Sequence, residues 1–349
     1  MEDSLSDIPG AGNNQYNINA EYTFSHLENK TPRFIQLLQQ NAKIRKLIEN
    51  FGSIILVINS FFIIIYYIVL LYGILVQLAM IPEYLAPLYI LSPLSIFFFC
   101  LVHSFYGLGI INGLIFLISI LISSWVWESL GVWTGIIFGK YFYTEFTPAH
   151  VINVPLEIPF SWFFFMYLSF CISDLAINGK LHTRRLLFKN DWKSEAVHAI
   201  LVSLGTGLIM VGWDMAADPM GSTRSCIWVW EHENGYFFGV PVLNFIGWFI
   251  LSSAFIFVYL IIEHFNPKKP NHTLDLLHTL CPPVLYAGLI MFYVVLSEPE
   301  ELGLVAFFSM GIPLIFATFR VFQVIWRPIQ LLTDEYDPIV IASIMYDRT

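Results

Sequence analysis

Eight stretches of the chain stay apolar for close to the roughly 20 residues that an α-helix needs to cross a bilayer. They cover about residues 54–80, 88–105, 107–126, 158–177, 196–213, 242–262, 283–296 and 302–319, the seventh being short. This pattern predicts an all-α polytopic membrane bundle of about eight transmembrane helices. Residues 1–30 are rich in Asn, Ser and Asp and are expected to be disordered. From Thr31, an N-cap followed by Pro32, Phe34, Leu37, Leu38, Asn41, Ile44, Ile48 and Phe51, apolar but for the asparagine, recur on one face at helical spacing, with Lys and Arg opposite. Residues 31–51 therefore read as an interfacial amphipathic helix, or equally as a polar extension of the first span. Residues 52–320 form the expected transmembrane catalytic domain, and 321–349 a short C-terminal tail of mixed charge.

Composition removes the soluble classes. Of 349 residues, 57% are hydrophobic, 17% aromatic and 12% charged, against about 25% charged in soluble domains. The polar start and the length of the first apolar run argue for an anchoring span, with no cleavable signal peptide. Charge distribution matters more than the net −9. Lys30, Arg33, Lys43, Arg45 and Lys46 precede span one; Lys180, Arg184, Arg185, Lys189 and Lys193 follow span four; Lys268 and Lys269 follow span six; Arg320 and Arg327 follow span eight. The alternate loops hold Glu83, then Glu128, Glu145 and Glu157, then an acidic cluster, then Glu298, Glu300 and Glu301. Eight spans in a cell membrane with both termini cytoplasmic satisfy the positive-inside rule at every loop.

Several residues are expected to be structural. Cys100, Cys171, Cys226 and Cys281 form no CxxC pair and read as buried thiols. His103, His198, His264, His272 and His278 lack the HxxxH or HxxHH spacing of membrane diiron sites, so no metal is expected. Asp174, with Asn178 one turn on, reads as a solvated acid at a helix end. Gly107, Gly109 and Gly113 open a helix rather than a βαβ unit, which favours close helix approach over a dinucleotide loop. Pro282 and Pro283 suit a helix start and Pro313 a kink. The sequons at Asn29 and Asn271 fall on the inner side.

The chemistry concentrates between Trp213 and Trp248, where Asp214, Asp218, Glu231 and Glu233 stand among four tryptophans. Ionisable groups at a membrane boundary are costly and mark functional sites. An offset of 86 residues, from Trp127 to Trp213, also lays Glu128 on Asp214, Gly135 on Gly221, Glu145 on Glu231, Val154-Pro155 on Val240-Pro241 and Trp162 on Trp248. That register suggests a parallel repeat of helix, loop and helix, about 107–178 and 193–264, which would place Glu128 and Asp214 at equivalent depths around one cavity.

Asp214 and Asp218 lie one turn apart on one helix face. Two carboxylates so close do not both ionise cheaply, so one is expected to keep a proton near neutral pH. Asp218 or Glu128 can then hold a water as base. Trp127, Trp213, Trp228, Trp230, Tyr141 and Tyr143 offer faces that stabilise a cation, and Glu231 and Asn244 complete the expected substrate-binding set. Acid, base and aromatic wall suit protonation of an apolar alkene. Taken singly, the same residues fit an ordinary interfacial belt with solvated acids.

The string Asp214-x-x-x-Asp218-Pro-Met220, then Trp228-x-Trp230, then Gly235-Tyr-Phe-Phe-Gly-Val-Pro-Val-Leu-Asn-Phe-Ile-Gly-Trp248, resembles the carotenoid biosynthesis proteins typified by CruF-type carotenoid 1,2-hydratases and bisanhydrobacterioruberin hydratases. Glu128-x-x-Gly-x-x-x-Gly-x-x-Phe-Gly-x-Tyr141-x-Tyr143 is similar to that family's other signature, and the resemblance covers about residues 88–319. It implies addition of water, without a cofactor, across the terminal C1,2 double bond of an acyclic carotenoid. The implied partners are a carotenoid or other long isoprenoid, the bilayer, water as co-substrate and other carotenoid enzymes; nothing points to nucleic acid. A carotenoid or isoprenoid cyclase, a prenyltransferase using the DxxxD pair for Mg²⁺ and diphosphate, and a non-enzymatic transporter remain as alternatives.

Overall fold

The computed structural model describes residues 31–78, 80, 89–145, 149–181, 192–231, 235–265 and 276–335, except for the side chains of 31–49, 224 and 325–335. The expectations for the N-terminal tail, the amphipathic face of residues 34–49, Glu83, Glu233, His272 and both sequons lie outside them. Two units are distinguished, Met1–Ile54 and Ile55–Thr349. In the first, the described backbone is the start of a helix.

Eight helices are present among the described residues: α1 (Thr31–Gln77), α2 (Leu91–Gly107), α3 (Ile110–Thr134), α4 (Glu157–Asn178), α5 (Trp192–Pro219), α6 (Val242–Phe265), α7 (Leu276–Leu296) and α8 (Glu301–Glu335). Seven are long and apolar enough to cross a membrane, and α2 is a shorter apolar helix. The all-α multi-pass expectation holds. The backbone of α1 runs unbroken from Thr31, and α8 continues past residue 320.

Helix boundaries depart from the apolar runs where polar residues are buried. The third run ends at Val126, yet α3 continues through a buried Glu128 and stops at Gly135, whose left-handed φ of 66° caps the helix. Pro282 and Pro283 lie inside α7, which begins at Leu276 and not at the prolines. Nor does Asp218-Pro219 break the chain: α5 passes into a π-helical turn, Met220–Arg224. Proline has no N–H and its ring crowds the carbonyl one helical turn earlier. The wider turn that follows satisfies the backbone through Ser225 N–H to Met220 O at 3.1 Å.

In the larger unit α4 is central, with every side chain from Trp162 to Leu175 buried, as befits a helix apolar on all faces. Helix α5 packs against α4, α6 and α8. Its approach to α8 requires a glycine: a Cβ on Gly212 would lie 2.8 Å from the Ser309 carbonyl oxygen, and the Ser309 hydroxyl donates to Gly212 O at 2.6 Å. Small residues and interhelical hydrogen bonds of this kind replace the hydrophobic effect as glue within a bilayer. Gly113 serves likewise, packing on the Phe105 ring.

Several polar residues are interior, one of them expected to be solvated. Asp174 is 3% exposed, so its reading as a solvated helix-end acid is wrong. Asn178 donates to it at 2.6 Å, and the Asn178 side-chain oxygen meets His198 Nε2 at 2.7 Å, tying α4 to α5. Glu195 meets His264 at 3.0 Å, tying α5 to α6. His103 is buried between the Tyr167 hydroxyl at 2.7 Å and the His278 carbonyl at 3.0 Å, the structural role expected of it. Cys100, Cys171 and Cys281 are buried thiols; Cys226 is half-buried.

Two short antiparallel pairs complete the fold. Strand β2 (His150–Val151) turns back on β3 (Val154–Pro155), and the Trp125 indole donates to Val151 O at 3.2 Å. Strand β1 (Tyr141–Tyr143) pairs with β4 (Trp228–Trp230), matching Tyr141 with Trp230 and Tyr143 with Trp228. This ribbon joins the α3–α4 connection to the α5–α6 connection.

Candidate active site beneath the aromatic ribbon

One end of the bundle is closed by the β1–β4 ribbon, and a cavity of about 60 Å³ lies beneath it. Such a space holds a few water-sized groups. Helix α3 supplies Glu128; α4 supplies Ile158, Ser161 and Trp162; α5 supplies Trp213, Asp214, Ala217 and Asp218; α6 supplies Asn244 and Trp248. Phe138, Tyr141, Tyr143, Trp228 and Trp230 form the roof. No Lys, Arg or His is among these lining residues.

Three carboxylates therefore share one cavity, each at most 5% exposed. Each is bound differently. Glu128 Oε2 accepts from Tyr141 at 2.5 Å and Tyr143 at 2.7 Å, while Oε1 accepts from the Trp162 indole at 2.8 Å. Asp218 Oδ1 accepts from the Trp228 indole at 3.0 Å and the Trp230 indole at 2.9 Å. The Asn244 amide donates to Asp218 Oδ2 at 2.9 Å and to Asp214 Oδ2 at 2.7 Å. Among the described residues Asn244 is the one hydrogen-bond donor to Asp214.

Alternation along the two strands explains this arrangement. Side chains two apart on a strand share a face, so Tyr141 and Tyr143 reach one acid and Trp228 and Trp230 the other. Strand β1 thus hangs from Glu128 on α3, and β4 from Asp218 on α5. Burial, and then the charge of Glu128, push both tyrosine hydroxyls well above the ordinary phenol range. They remain hydrogen-bond donors at neutral pH.

The wall is continuous aromatic surface. Trp162 stacks on Trp248 with centroids 3.9 Å apart and planes 12° apart. Trp213 stacks on Phe165 at 3.5 Å and lies 5.5 Å from Trp248. Trp127 is held 5.5 Å from Trp162.

Of the residues singled out in the sequence, Asp214, Glu128, Asp218, Trp213, Trp228, Trp230, Tyr141, Tyr143 and Asn244 line the cavity. Trp127 and Glu231 do not: Trp127 packs behind Trp162, and Glu231 is exposed beyond the ribbon. Trp162, Trp248, Ser161 and Phe138 line the cavity without having been assigned to it. The two tryptophans were visible as matched positions at the 86-residue offset, from Trp162 to Trp248, and Phe138 is the Phe of the signature that runs from Glu128 to Tyr143; Ser161 carries no comparable signal.

Among the described residues no group of three or more His, Cys, Asp or Glu is placed to hold a metal ion. No curated protein and no solved structure matches the chain. The model of one family, that of carotenoid biosynthesis proteins, matches residues 86–344, and with its apolar helices and its acid-lined, aromatic-walled cavity this chain belongs to that family as a multi-pass membrane protein of carotenoid biosynthesis.

Proposed function

We propose that the protein is an integral-membrane carotenoid hydratase, an enzyme of hydro-lyase type that adds water to the terminal C1,2 double bond of an acyclic carotenoid end group. The observation that carries this reading is the unequal hydrogen bonding of the three cavity acids. Glu128 and Asp218 each receive three donors, which favours their charged forms. Asp214 receives one, in a cavity walled by aromatic rings and shared with two better-bonded acids, so it is the acid placed to hold a proton and release it.

The π electrons of the terminal double bond take the Asp214 proton at C2, leaving a tertiary cation at C1. Trp213, Trp228, Trp230 and Trp248 present ring faces to that cation, and the three carboxylates now carry negative charge around it. A water molecule forms the C1–O bond with its lone pair. The resulting oxonium returns one proton to the carboxylate pair of Asp214 and Asp218, which restores the acid. Water is the only reactant consumed besides the alkene, and the product is a tertiary alcohol.

This assignment shifts the expected water-holding role away from Glu128, whose oxygens already serve the ribbon and Trp162. It leaves Asp218, paired with Asp214, as the base. The absence of cationic side chains among the described lining residues favours an uncharged alkene over a diphosphate. A polyene enters sideways from the bilayer and inserts its end, since the cavity of about 60 Å³ takes no more than that.

We read the two halves as a parallel duplication. Three features support it: β1 and β4 pair across the halves, Trp162 stacks on its counterpart Trp248, and the pairs Trp127–Trp162 and Trp213–Trp248 have the same 5.5 Å spacing.

Expression in a host that accumulates lycopene or another acyclic carotenoid tests the reaction. The expected product is heavier by the mass of one water per reacted end, and Asp214→Asn abolishes it at unchanged protein abundance. Persistence of that product in Asp214→Asn overturns the assignment; a cyclised product of unchanged mass identifies a cyclase instead.

A further inference from the structure

Asn244 sits in the first turn of α6, 2% exposed, with its backbone N–H on Pro241 O at 3.0 Å. Its side-chain nitrogen lies 2.7 Å from Asp214 Oδ2 and 2.9 Å from Asp218 Oδ2. A primary amide has two N–H groups, and here one is aimed at each carboxylate. We propose that Asn244 is a positioning residue that binds Asp214 and Asp218 into one acid–base unit and determines which oxygen of Asp214 carries the transferable proton. The inference rests on the hydratase reading.

An oxygen that accepts a hydrogen bond from a buried amide is the carbonyl-type oxygen of a protonated acid. With Oδ2 of Asp214 so occupied, the proton resides on Oδ1. Oδ2 of Asp218 accepts the other N–H, and its Oδ1 is taken by the two indoles of β4. The amide thus separates the roles: Asp218 keeps its charge with three donors, and Asp214 keeps a proton on its remaining oxygen. It also sets the spacing of the pair, so that the oxonium proton has a nearby acceptor. In this role Asn244 acts through the two carboxylates.

The test uses the full-length protein in membranes or detergent, with Asn244→Leu, which removes both donors on the same branched heavy-atom skeleton, and Asn244→Gln, which retains an amide. For Asn244→Leu, kcat should fall about 100-fold with KM changed by no more than about threefold, since a misplaced acid costs reactivity rather than binding. Asn244→Gln should recover part of that loss. A second readout is independent of turnover. In infrared spectra, the carboxylic C=O band that Asp214→Asn removes should move to higher frequency in Asn244→Leu, because its carbonyl oxygen has lost a donor.

Wild-type kcat in folded Asn244→Leu, or a carboxylic band unmoved by the substitution, overturns the positioning role. If Asn244→Leu does not accumulate, Asn244→Ala, which also removes both donors, takes its place: a band moved to higher frequency supports the role and an unmoved band overturns it. A wild-type protein that turns over no carotenoid, or that lacks a carboxylic band sensitive to Asp214, instead overturns the hydratase reading itself.

Discussion

Glu128 accepts hydrogen bonds from two tyrosines and one tryptophan, and this saturation makes it a different kind of residue from Asp214. Replacing Glu128 by Gln puts an NH₂ group where three donors point. At least one buried donor is then left without an acceptor, at a cost of roughly 1–3 kcal/mol. Asp214→Asn loses no such set, since a single amide donates to it. Glu128→Gln is therefore expected to lower the unfolding midpoint of the purified protein, whereas Asp214→Asn loses activity at an unchanged midpoint. Equal midpoints for the two variants would show that Glu128 does not anchor the ribbon. The acids themselves stood out in the sequence at the outer ends of apolar runs, where the 86-residue offset lays Glu128 on Asp214. Their division of labour was not legible, because it depends on indole and phenol donors arriving from segments remote along the chain.

The ribbon is the element that the sequence concealed. Strands of three residues show no usable alternation, and β1 and β4 find each other only because α3 and α5 deliver them to the same end of the bundle. The spans, by contrast, were readable, since the bilayer imposes length and apolarity on each helix. Their ends were misread at Glu128 and at Pro282-Pro283, where burial against neighbours outweighs local propensity. Asp174 was misread for the same reason; His198, its partner through Asn178, was the available clue. The ribbon also depends on one close approach. A Cβ on Gly221, in the π-helical turn, would stand 2.3 Å from the Trp228 ring. Gly221→Ala must push that indole aside and withdraw its N–H from Asp218. Hydration activity should drop roughly 10- to 100-fold while protein abundance stays near wild type. Wild-type turnover by Gly221→Ala would mean that the Trp228 contact with Asp218 is dispensable.

At the scale of the whole molecule, orientation turns on α2. Its 17 residues extend about 26 Å at 1.5 Å per residue, the short end of what a hydrocarbon core of about 30 Å accepts. If α2 crosses, each basic loop of the larger unit, at residues 180–193, 266–275 and after α8, falls on one side, and each acidic connection falls on the other. If α2 instead dips and returns, the connection before it joins the basic side. The positive-inside rule favours crossing. Two exposed positions discriminate: Met80, before α2, is 68% exposed, and Tyr236, beyond the ribbon, is 96% exposed. With the half-buried Cys226 replaced by Ser, both Met80→Cys and Tyr236→Cys should react with a membrane-impermeant thiol reagent added outside intact cells. Labelling of Met80→Cys only after permeabilisation, with Tyr236→Cys still labelled from outside, would place α2 as a re-entrant helix. The ribbon and its acids would keep their side, so the proposed hydration chemistry would be untouched while the eight-span topology fell.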